Sequence, residues 1–133
     1  MNFFLDLEST IINDWFDGKF LPIQIKQIRA EIRTMLGHDN SFELNIFSFA
    51  ILNEHDADEF DIRFRRQIEQ IFNCQCKVWT KERIKKDVLA ARKLNNNLMD
   101  EFEFSSIFGK DLSFILFCEQ QGIHNAILWD DSC

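Results

Sequence analysis

Apolar residues recur at every third or fourth position in four segments of the chain, which is the spacing of one face of an α-helix. The clearest segment is 22–36, where Pro22 stands in the first turn and Gly37 follows the last apolar residue. Proline in the first turn costs no hydrogen bond, and glycine commonly ends a helix. Helices are also predicted over residues 6–16, 56–72 and 80–98.

These three segments begin at residues that suit a helix N-terminus. Asp6 and Thr80 carry side-chain oxygens that can accept a hydrogen bond from the first-turn N–H groups. Asp56, followed three residues later by Glu59, resembles a capping box. Residues 95–97 are all asparagine, a poor helix former, so the helix that starts at Thr80 is predicted to fray there.

Shorter apolar runs predict strands. The run 42–52 is rich in Phe and Ile and changes phase near Phe47, which favours a strand with a bulge or a strand buried on both faces. A buried helix also fits this run, because the period of a short apolar segment does not separate the two. Strands are further predicted over residues 74–79, 112–118 and 126–129, with a loop at Ser105–Asp111. For 112–118 the alternative is a buried helix that ends at Gly122.

This order of elements predicts one globular domain over residues 1–133. Its class is α+β, with about four helices packed on a small mixed β-sheet, and the alternative is an all-α domain. Hydrophobic residues make up 46% of the chain, and fifteen of them are Phe. That content is enough to form a packed core and excludes disorder of the whole chain.

The formal net charge of −7 argues against nucleic acid or an anionic membrane as the partner, because both need a basic surface. The first eight residues lack the basic region of a secretory signal, and no apolar run approaches the length of a membrane helix. The four cysteines are not spaced like a secreted disulfide framework, so reduced thiols are expected. We therefore expect a cytoplasmic protein.

No motif for catalysis or cofactor binding stands out. The four glycines never cluster into a phosphate-binding loop, and the three histidines belong to no nucleophile signature. His55 among its acidic neighbours could bind a metal, but contiguous acids are the ordinary composition of a helix start. Cys74 and Cys76 are closer together than the usual zinc spacing, and buried cysteine commonly acts as a small apolar residue. The sequence thus predicts no enzyme, no cofactor and no metal, with a small metal-dependent enzyme around His55 as an alternative.

The segment Lys77–Lys93 is the basic exception. It holds seven Lys or Arg against Glu82 and Asp87, which leaves a net charge of −12 on the rest of the chain. A solvated helix face, or an internal partner for the acids, is the common meaning of such a pattern. The alternative is a nucleic-acid-associated regulator that uses this helix.

Acidic residues form several patches, two of which have a tryptophan beside them. Carboxylates that border aromatic anchors suit a tight interface with a basic protein, since long-range attraction speeds the association. The predicted partner-binding residues are Asp6, Glu8, Asp14, Trp15, Asp17, Glu54, Asp56, Asp58, Glu59, Asp61, Trp129, Asp130 and Asp131.

A small, acidic, Phe-rich chain with acidic blocks such as Asp56–Asp61 resembles the bacterial immunity proteins that neutralise polymorphic toxins, including those of contact-dependent inhibition systems. The resemblance lies in the overall profile of the chain. It implies an inhibitor that forms a one-to-one complex with a basic toxin, often a nuclease. The inhibitor would mask the active site or the substrate-binding surface of the toxin, with carboxylates standing in for phosphates.

Overall fold

The computed structural model describes residues 1–38, 41–94 and 99–130, apart from the side chain of Glu101. In these ranges four strands form one sheet in the order β3-β2-β1-β4. The strands are β1 (Asn2–Leu5), β2 (Glu43–Phe47), β3 (Cys76–Trp79) and β4 (Ala126–Trp129). Every neighbouring pair is parallel. The predicted α+β class is confirmed, but the sheet is parallel rather than mixed, and its presence rules out the all-α alternative.

The helices follow the strands in an alternating order. They are α1 (Pro22–Leu36), α2 (Glu54–Phe60), a π-helical turn (Asp61–Arg65), α3 (Arg66–Phe72), α4 (Lys81–Ala91) and α5 (Glu101–Gln121). The three segments from α2 to α3 follow one another without a break and correspond to the helix predicted over 56–72. The helix predicted from Pro22 to Gly37 is also confirmed. None of the described helices is long and apolar enough to cross a membrane.

The sheet has a core on each face. Phe3 and Leu5 of β1 pack in one cluster with residues of α1, α2 and α3, whereas Phe4 packs in a second cluster with residues of α4 and α5. Successive side chains of a strand point to opposite faces, so a strand covered on both sides is apolar at consecutive positions. The three residues 3–5 are all fully buried for this reason.

The helix predicted over 6–16 is wrong. Residues 2–5, just before this segment, form β1. The Asp6 N–H still belongs to the hydrogen bonding of the sheet, because it donates to the Trp129 carbonyl at 3.0 Å. The chain then turns at Ser9, which has a positive φ of 62°, and Ile12 forms an isolated bridge with Phe20. Leu7 and Ile11, which have helical spacing, are fully buried, but they lie in this irregular segment rather than in a helix.

The predicted loop at 105–111 and strand at 112–118 are also wrong, because both belong to α5. The alternative, a buried helix that ends at Gly122, is confirmed, and Gly122 has a left-handed conformation there. Gly109 interrupts α5 with φ 62° and ψ 174°, which bends the helix in the middle. The glycine in the sequence therefore marks a kink rather than a loop.

Other predicted boundaries shift by a few residues. The helix expected to begin at Asp56 begins at Glu54, and its N-cap is Asn53, whose side chain accepts from the Asp56 N–H at 3.1 Å. Thr80 caps α4 as predicted, with the Arg83 N–H as donor at 3.1 Å. The strands predicted over 42–52 and 74–79 are confirmed over shorter ranges, and that over 126–129 is confirmed. The predicted fraying at 95–97 lies outside the described residues.

Candidate functional site

Polar side chains converge at the carboxyl end of β1, where the strand order of the sheet reverses direction. The chain passes from β1 to β2 and β3 on one side, and β4 lies on the other side of β1. In open parallel sheets, ligands bind outside the carboxyl ends of the strands at such a reversal point. Asp6 directly follows β1 and Asp130 directly follows β4. The topology therefore brings two carboxylates, 124 positions apart in the sequence, to one edge of the sheet.

Lys110 lies between these two carboxylates. Its ammonium nitrogen Nζ is 2.7 Å from Asp6 Oδ1 and 3.8 Å from Asp130 Oδ2. Asp6 is 6% exposed, and the Leu7 N–H donates to its Oδ1 at 2.8 Å. Burial raises the pKa of Asp6 from 3.8 to about 6, against the lowering effect of Lys110 and with a further rise from Asp130. A buried carboxyl group that changes charge close to neutral pH is a common property of catalytic sites.

The kink at Gly109 determines where Lys110 lies. Gly109 has a combination of φ and ψ that is essentially restricted to glycine. The hydroxyl of Ser113 donates to the Gly109 carbonyl, as expected for a residue four positions later in a helical turn. Lys110 directly follows the kink and is the first residue of the second helical segment of α5.

A third strand adds a hydroxyl group to the same edge. Ser48 directly follows β2, is 1% exposed, and its Oγ accepts from the Ala50 N–H at 3.1 Å. An open pocket of about 270 Å³ lies against this edge. Its lining residues are Asp6, Glu8, Ser48, Phe49, Ala50 and Lys110. The pocket thus combines carboxylates, an ammonium group and a hydroxyl group, with an aromatic ring in its wall.

Glu8 connects the pocket to the segment that follows β1. Its Oε2 accepts from the Trp15 N–H at 2.8 Å, and the Trp15 ring lies 5.2 Å from the Arg63 guanidinium. Asp14 and Asp17 are exposed in the same segment, where the Asp17 N–H donates to Asp14 Oδ1 at 2.7 Å. Of the predicted partner-binding residues, Asp6, Glu8 and Asp130 therefore meet at or beside the pocket, and Asp14, Trp15 and Asp17 form a neighbouring surface segment.

The acids predicted between Glu54 and Asp61 lie on α2 and the π-helical turn. Glu54 and Asp58 are exposed, and Asp56 accepts from the backbone at the helix start. Glu59 pairs with Arg63 at 3.2 Å, and Asp61 pairs with Arg65 at 2.6 Å. Such pairs between neighbouring turns of an exposed helix contribute little to stability. These five acids line one helical stretch and are separate from the carboxylates at the pocket.

Trp129 is held at the end of β4. Its indole N–H donates to Glu31 Oε2 at 2.5 Å, and its ring packs against Phe3 with centroids 5.4 Å apart. The side chain is therefore bound into the domain, directly before Asp130 in the sequence. Asp131 lies outside the described residues.

The alternative metal and nucleophile sites are not assembled in the described ranges. There, no three His, Cys, Asp or Glu side chains lie together in a way that could hold a metal ion. His55 is exposed in the first turn of α2. Cys74, Cys76 and Cys118 are free thiols, and burial raises their pKa values to about 11, 12 and 11. Thiols with such values are protonated at neutral pH and are poor nucleophiles.

The basic segment is divided among several contacts. Lys77 lies 4.0 Å from Glu43, and Arg83 lies 3.4 Å from Asp87 on the next turn of α4. Lys85 is 9% exposed and so belongs to the buried side of the helix. The seven cations therefore do not form one continuous solvent-facing row along α4.

Sequence reasoning missed Lys110 and Ser48 and assigned Asp6 to a helix cap. A signal was present, since three apolar runs end in a polar residue at the positions of Asp6, Ser48 and Asp130. In a parallel sheet these positions share one edge. Comparison of the chain with protein-family models, curated proteins and solved structures gives no match.

Proposed function

We propose that the protein is an enzyme that transfers a phosphoryl group from a small phosphorylated molecule, with Asp6 as the nucleophile. The observation that supports this most strongly is the buried Asp6 carboxylate, which is bonded to Lys110 and faces an open pocket at the reversal point of the sheet. This proposal departs from the expectation of a non-catalytic protein, which rested on the lack of a local sequence motif.

The ammonium group of Lys110 gives the pocket one attachment point for a phosphate oxygen. Lys110 supplies a positive charge beside Asp6, and an ammonium group is a common partner of phosphate oxygens. Carboxylates serve as nucleophiles toward phosphorus through an aspartyl-phosphate intermediate. Burial strips water from Asp6, and its pKa of about 6 leaves it largely ionised above neutral pH. A desolvated carboxylate held next to a cation is suited to this attack.

The reaction has two steps. An Asp6 oxygen attacks phosphorus, the bond between phosphorus and the ester oxygen breaks, and the departing oxygen takes a proton from solvent. Water then attacks the aspartyl phosphate, which releases inorganic phosphate and restores the carboxylate. Lys110 neutralises part of the charge that builds up on the phosphoryl oxygens, which is the usual catalytic contribution in phosphoryl transfer.

A divalent cation is expected to accompany the substrate. The carboxylates of Asp6, Glu8 and Asp130 outnumber the ammonium group of Lys110 at this edge, so they repel a phosphate dianion. Mg²⁺ commonly binds through one or two carboxylates together with phosphate oxygens and water. Activity should therefore require added Mg²⁺ and disappear in EDTA.

The test is hydrolysis of p-nitrophenyl phosphate and of a panel of phosphorylated metabolites by the purified chain, with Mg²⁺ or with EDTA. Asp6→Asn should abolish turnover, and Lys110→Met should lower kcat/KM by at least about a hundredfold, as expected for loss of a charge-stabilising group. Acid-quenched protein should carry a hydroxylamine-labile phosphate on wild type and none on Asp6→Asn.

Asp58→Asn is the matched control, because Asp58 is an exposed carboxylate on α2 and should leave kcat/KM unchanged. Equal activity of Asp6→Asn and wild type would refute the assignment of the nucleophile. No hydrolysis of any phosphate ester by folded wild-type protein would refute the function.

A protein-binding inhibitor, such as an immunity protein for a basic toxin, is the second candidate. The observation that favours it is a pair of exposed apolar side chains in two linked segments: Phe16 is 92% exposed and Ile62 is 86% exposed. Arg63, next to Ile62 in the sequence, donates to the Phe16 carbonyl at 3.2 Å, which links the two segments. Asp14 and Asp17 flank Phe16. An exposed aromatic ring bordered by acids suits an interface with a basic protein.

This candidate predicts recovery of one basic protein at a one-to-one ratio in a pull-down from the native host, with weaker retention at high salt. The double substitution Phe16→Ser with Ile62→Ser should abolish that recovery. Ile107→Ser is the control, because Ile107 is 60% exposed on a different helix. Retention of the same partner by the double variant would contradict the assigned surface.

A further inference from the structure

Another cavity lies at the opposite edge of the sheet from Asp6. Phe42, which directly precedes β2, lines this cavity, whereas Ser48, which directly follows β2, lines the pocket described above. The amino ends of parallel strands share one edge of a sheet, so the two openings are at opposite edges. The cavity has a volume of about 310 Å³, at the lower end of the range for small-molecule sites. We call it the arginine pocket, after Arg29 and Arg33 in its wall.

The floor of the arginine pocket is apolar. α1 contributes Ile32 and Leu36, and α3 contributes Ile71 and Phe72. Ile32 and Phe72 are buried, whereas Leu36, Ile71 and Phe42 are half-buried. Half-buried apolar side chains in a concave surface lose contact with water when an apolar group enters, and this loss favours binding.

Both helices end at the rim of the arginine pocket. Gly37 directly follows α1 with a φ of 59°, and Asn73 directly follows α3 with a φ of 54°. A residue with positive φ turns the chain out of the helical path. Space is open beside Gly37, because a Cβ atom there would meet no other atom within 4 Å. The two helices therefore stop at the rim instead of continuing across the floor.

Arg29 and Arg33 form one side of the arginine pocket. They are four residues apart on α1, so both project from the same face of the helix, and both are exposed. Neither guanidinium group belongs to an ion pair found in residues 1–38, 41–94 and 99–130. Over the same ranges, the lining of the pocket contains no Asp or Glu. Glu31, the acid of α1, instead accepts from the Trp129 indole in a different pocket.

The helix end explains only part of this basic character. The carboxyl end of α1 carries a partial negative charge that favours a cation in the last turn, where Arg33 lies. This attraction falls off within one turn and does not account for Arg29, which is one turn earlier. On a chain with a net charge of −7, two neighbouring guanidinium groups beside an apolar floor are complementary to an anion with an apolar body.

We propose that the arginine pocket binds a small apolar carboxylate, such as a medium-chain fatty acid. Its carboxylate would lie on Arg29 and Arg33, because a guanidinium group binds a carboxylate through two parallel N–H donors. Its hydrocarbon chain would lie on the floor formed by α1, α3 and Phe42. This site is separate from the proposed phosphoryl-transfer site and does not depend on it.

The test is calorimetric titration of purified wild type with octanoate, octanol and octylammonium. Octanoate should bind at least about tenfold more tightly than the other two, as expected for one charge-assisted contact. Hexanoate should bind about tenfold more weakly than octanoate, because two fewer methylene groups are buried. The thermal unfolding temperature should rise with octanoate concentration, since the ligand binds the folded state.

The double substitution Arg29→Gln with Arg33→Gln should weaken octanoate binding at least about tenfold and leave octanol binding unchanged. Arg29→Glu with Arg33→Glu should reverse the preference, so that octylammonium binds more tightly than octanoate. Circular dichroism checks that these exposed substitutions preserve the fold. Lys26→Gln with Lys86→Gln is the matched control, because it removes the same charge at exposed positions outside the pocket and should bind octanoate as wild type does.

Equal affinities of wild type for octanoate and octanol would overturn this inference, as would unchanged octanoate binding by the Arg→Gln pair or no octanoate binding by folded wild type. A wild-type dimer in sedimentation velocity that the Arg→Gln pair loses would assign this face to a second copy of the chain instead. Asp6→Asn should bind octanoate as tightly as wild type, because Asp6 lies at the opposite edge. Failure of the proposed phosphatase activity is therefore distinguishable from failure of this inference.

Discussion

Replacement of Asp6 by Asn should make the protein more stable at neutral and alkaline pH. The folded state raises the pKa of Asp6 from 3.8 to about 6, mainly because the carboxylate is buried. The folded protein therefore binds the proton more tightly than the unfolded chain does between these values, and stability falls as pH rises from about 4 to about 6. Above this window, the charge of Asp6 costs the folded state about 3 kcal/mol. Asn has nearly the same shape as a protonated Asp and lacks the charge.

The assay is urea unfolding at pH 8, 6 and 4 in the presence of EDTA, followed by circular dichroism. Asp6→Asn should exceed wild type by about 2–3 kcal/mol at pH 8, and the difference should close to nearly zero at pH 4. Lys110 keeps Asp130 as a partner at 3.8 Å in the variant, so it is not left alone in the interior. Asp58→Asn, at an exposed position, should stay within about 0.5 kcal/mol of wild type at each pH.

A lower stability of Asp6→Asn at pH 8, or a difference that does not depend on pH, would refute this reasoning. The first result would mean that the pairing with Lys110 outweighs burial. The expected result, combined with loss of phosphatase activity, would show that the domain tolerates an unfavourable charge for the sake of its site, as many enzymes do.

Three other changes probe the kink, the thiols and the sheet. Gly109→Ala should lower stability by about 1–3 kcal/mol because of backbone strain, and it should reduce activity by moving Lys110. Gly122→Ala should lower stability without reducing activity. Both variants are measured by thermal unfolding and by the phosphatase assay. Cys76 and Cys118 should react with a thiol reagent at pH 8 far more slowly in the folded protein than in urea, because burial raises their pKa values to about 12 and 11. Equal rates in the two conditions would contradict the burial of these thiols. Asn45→Leu should destabilise the protein by about 1–3 kcal/mol in urea unfolding, because the buried amide of Asn45 joins neighbouring strands through two hydrogen bonds. An unchanged free energy of unfolding would show that these two bonds make no net contribution to stability.

The helix that begins at Pro22 and the helix through Phe72 could be predicted from sequence because each has a polar face toward solvent. Periodicity is informative only when a helix is buried on one side. In α5 this signal is lost because apolar residues also occupy the exposed side: Phe104, Phe108 and Phe117 are buried, whereas Phe102 and Ile115 are exposed. Its apolar residues follow no single stripe across the kink, and the run 112–118 consequently resembled a strand.

The site was harder to predict than the fold because its parts are distant along the chain. Asp6 and Asp130 were recognised as acidic, but their pairing depends on the strand order, which local patterns do not encode. Lys110 is one of fifteen basic residues and has no local feature except the preceding glycine. Only the parallel arrangement of β1 and β4 identifies these three residues as neighbours.

The absence of tyrosine gives this chain an unusually simple optical spectrum. Its near-ultraviolet emission arises from three indoles, and each reports on a different region. Trp15, in the segment after β1, lies against the guanidinium group of Arg63. Trp79 lies 4.9 Å from the ring of Phe117 in the second core. Trp129, one position before Asp130, donates its indole N–H to the carboxylate of Glu31. Substituting two of the three by Phe therefore yields a set of proteins in which ligand binding, core packing and movement of the surface segment can each be followed by fluorescence without an attached dye.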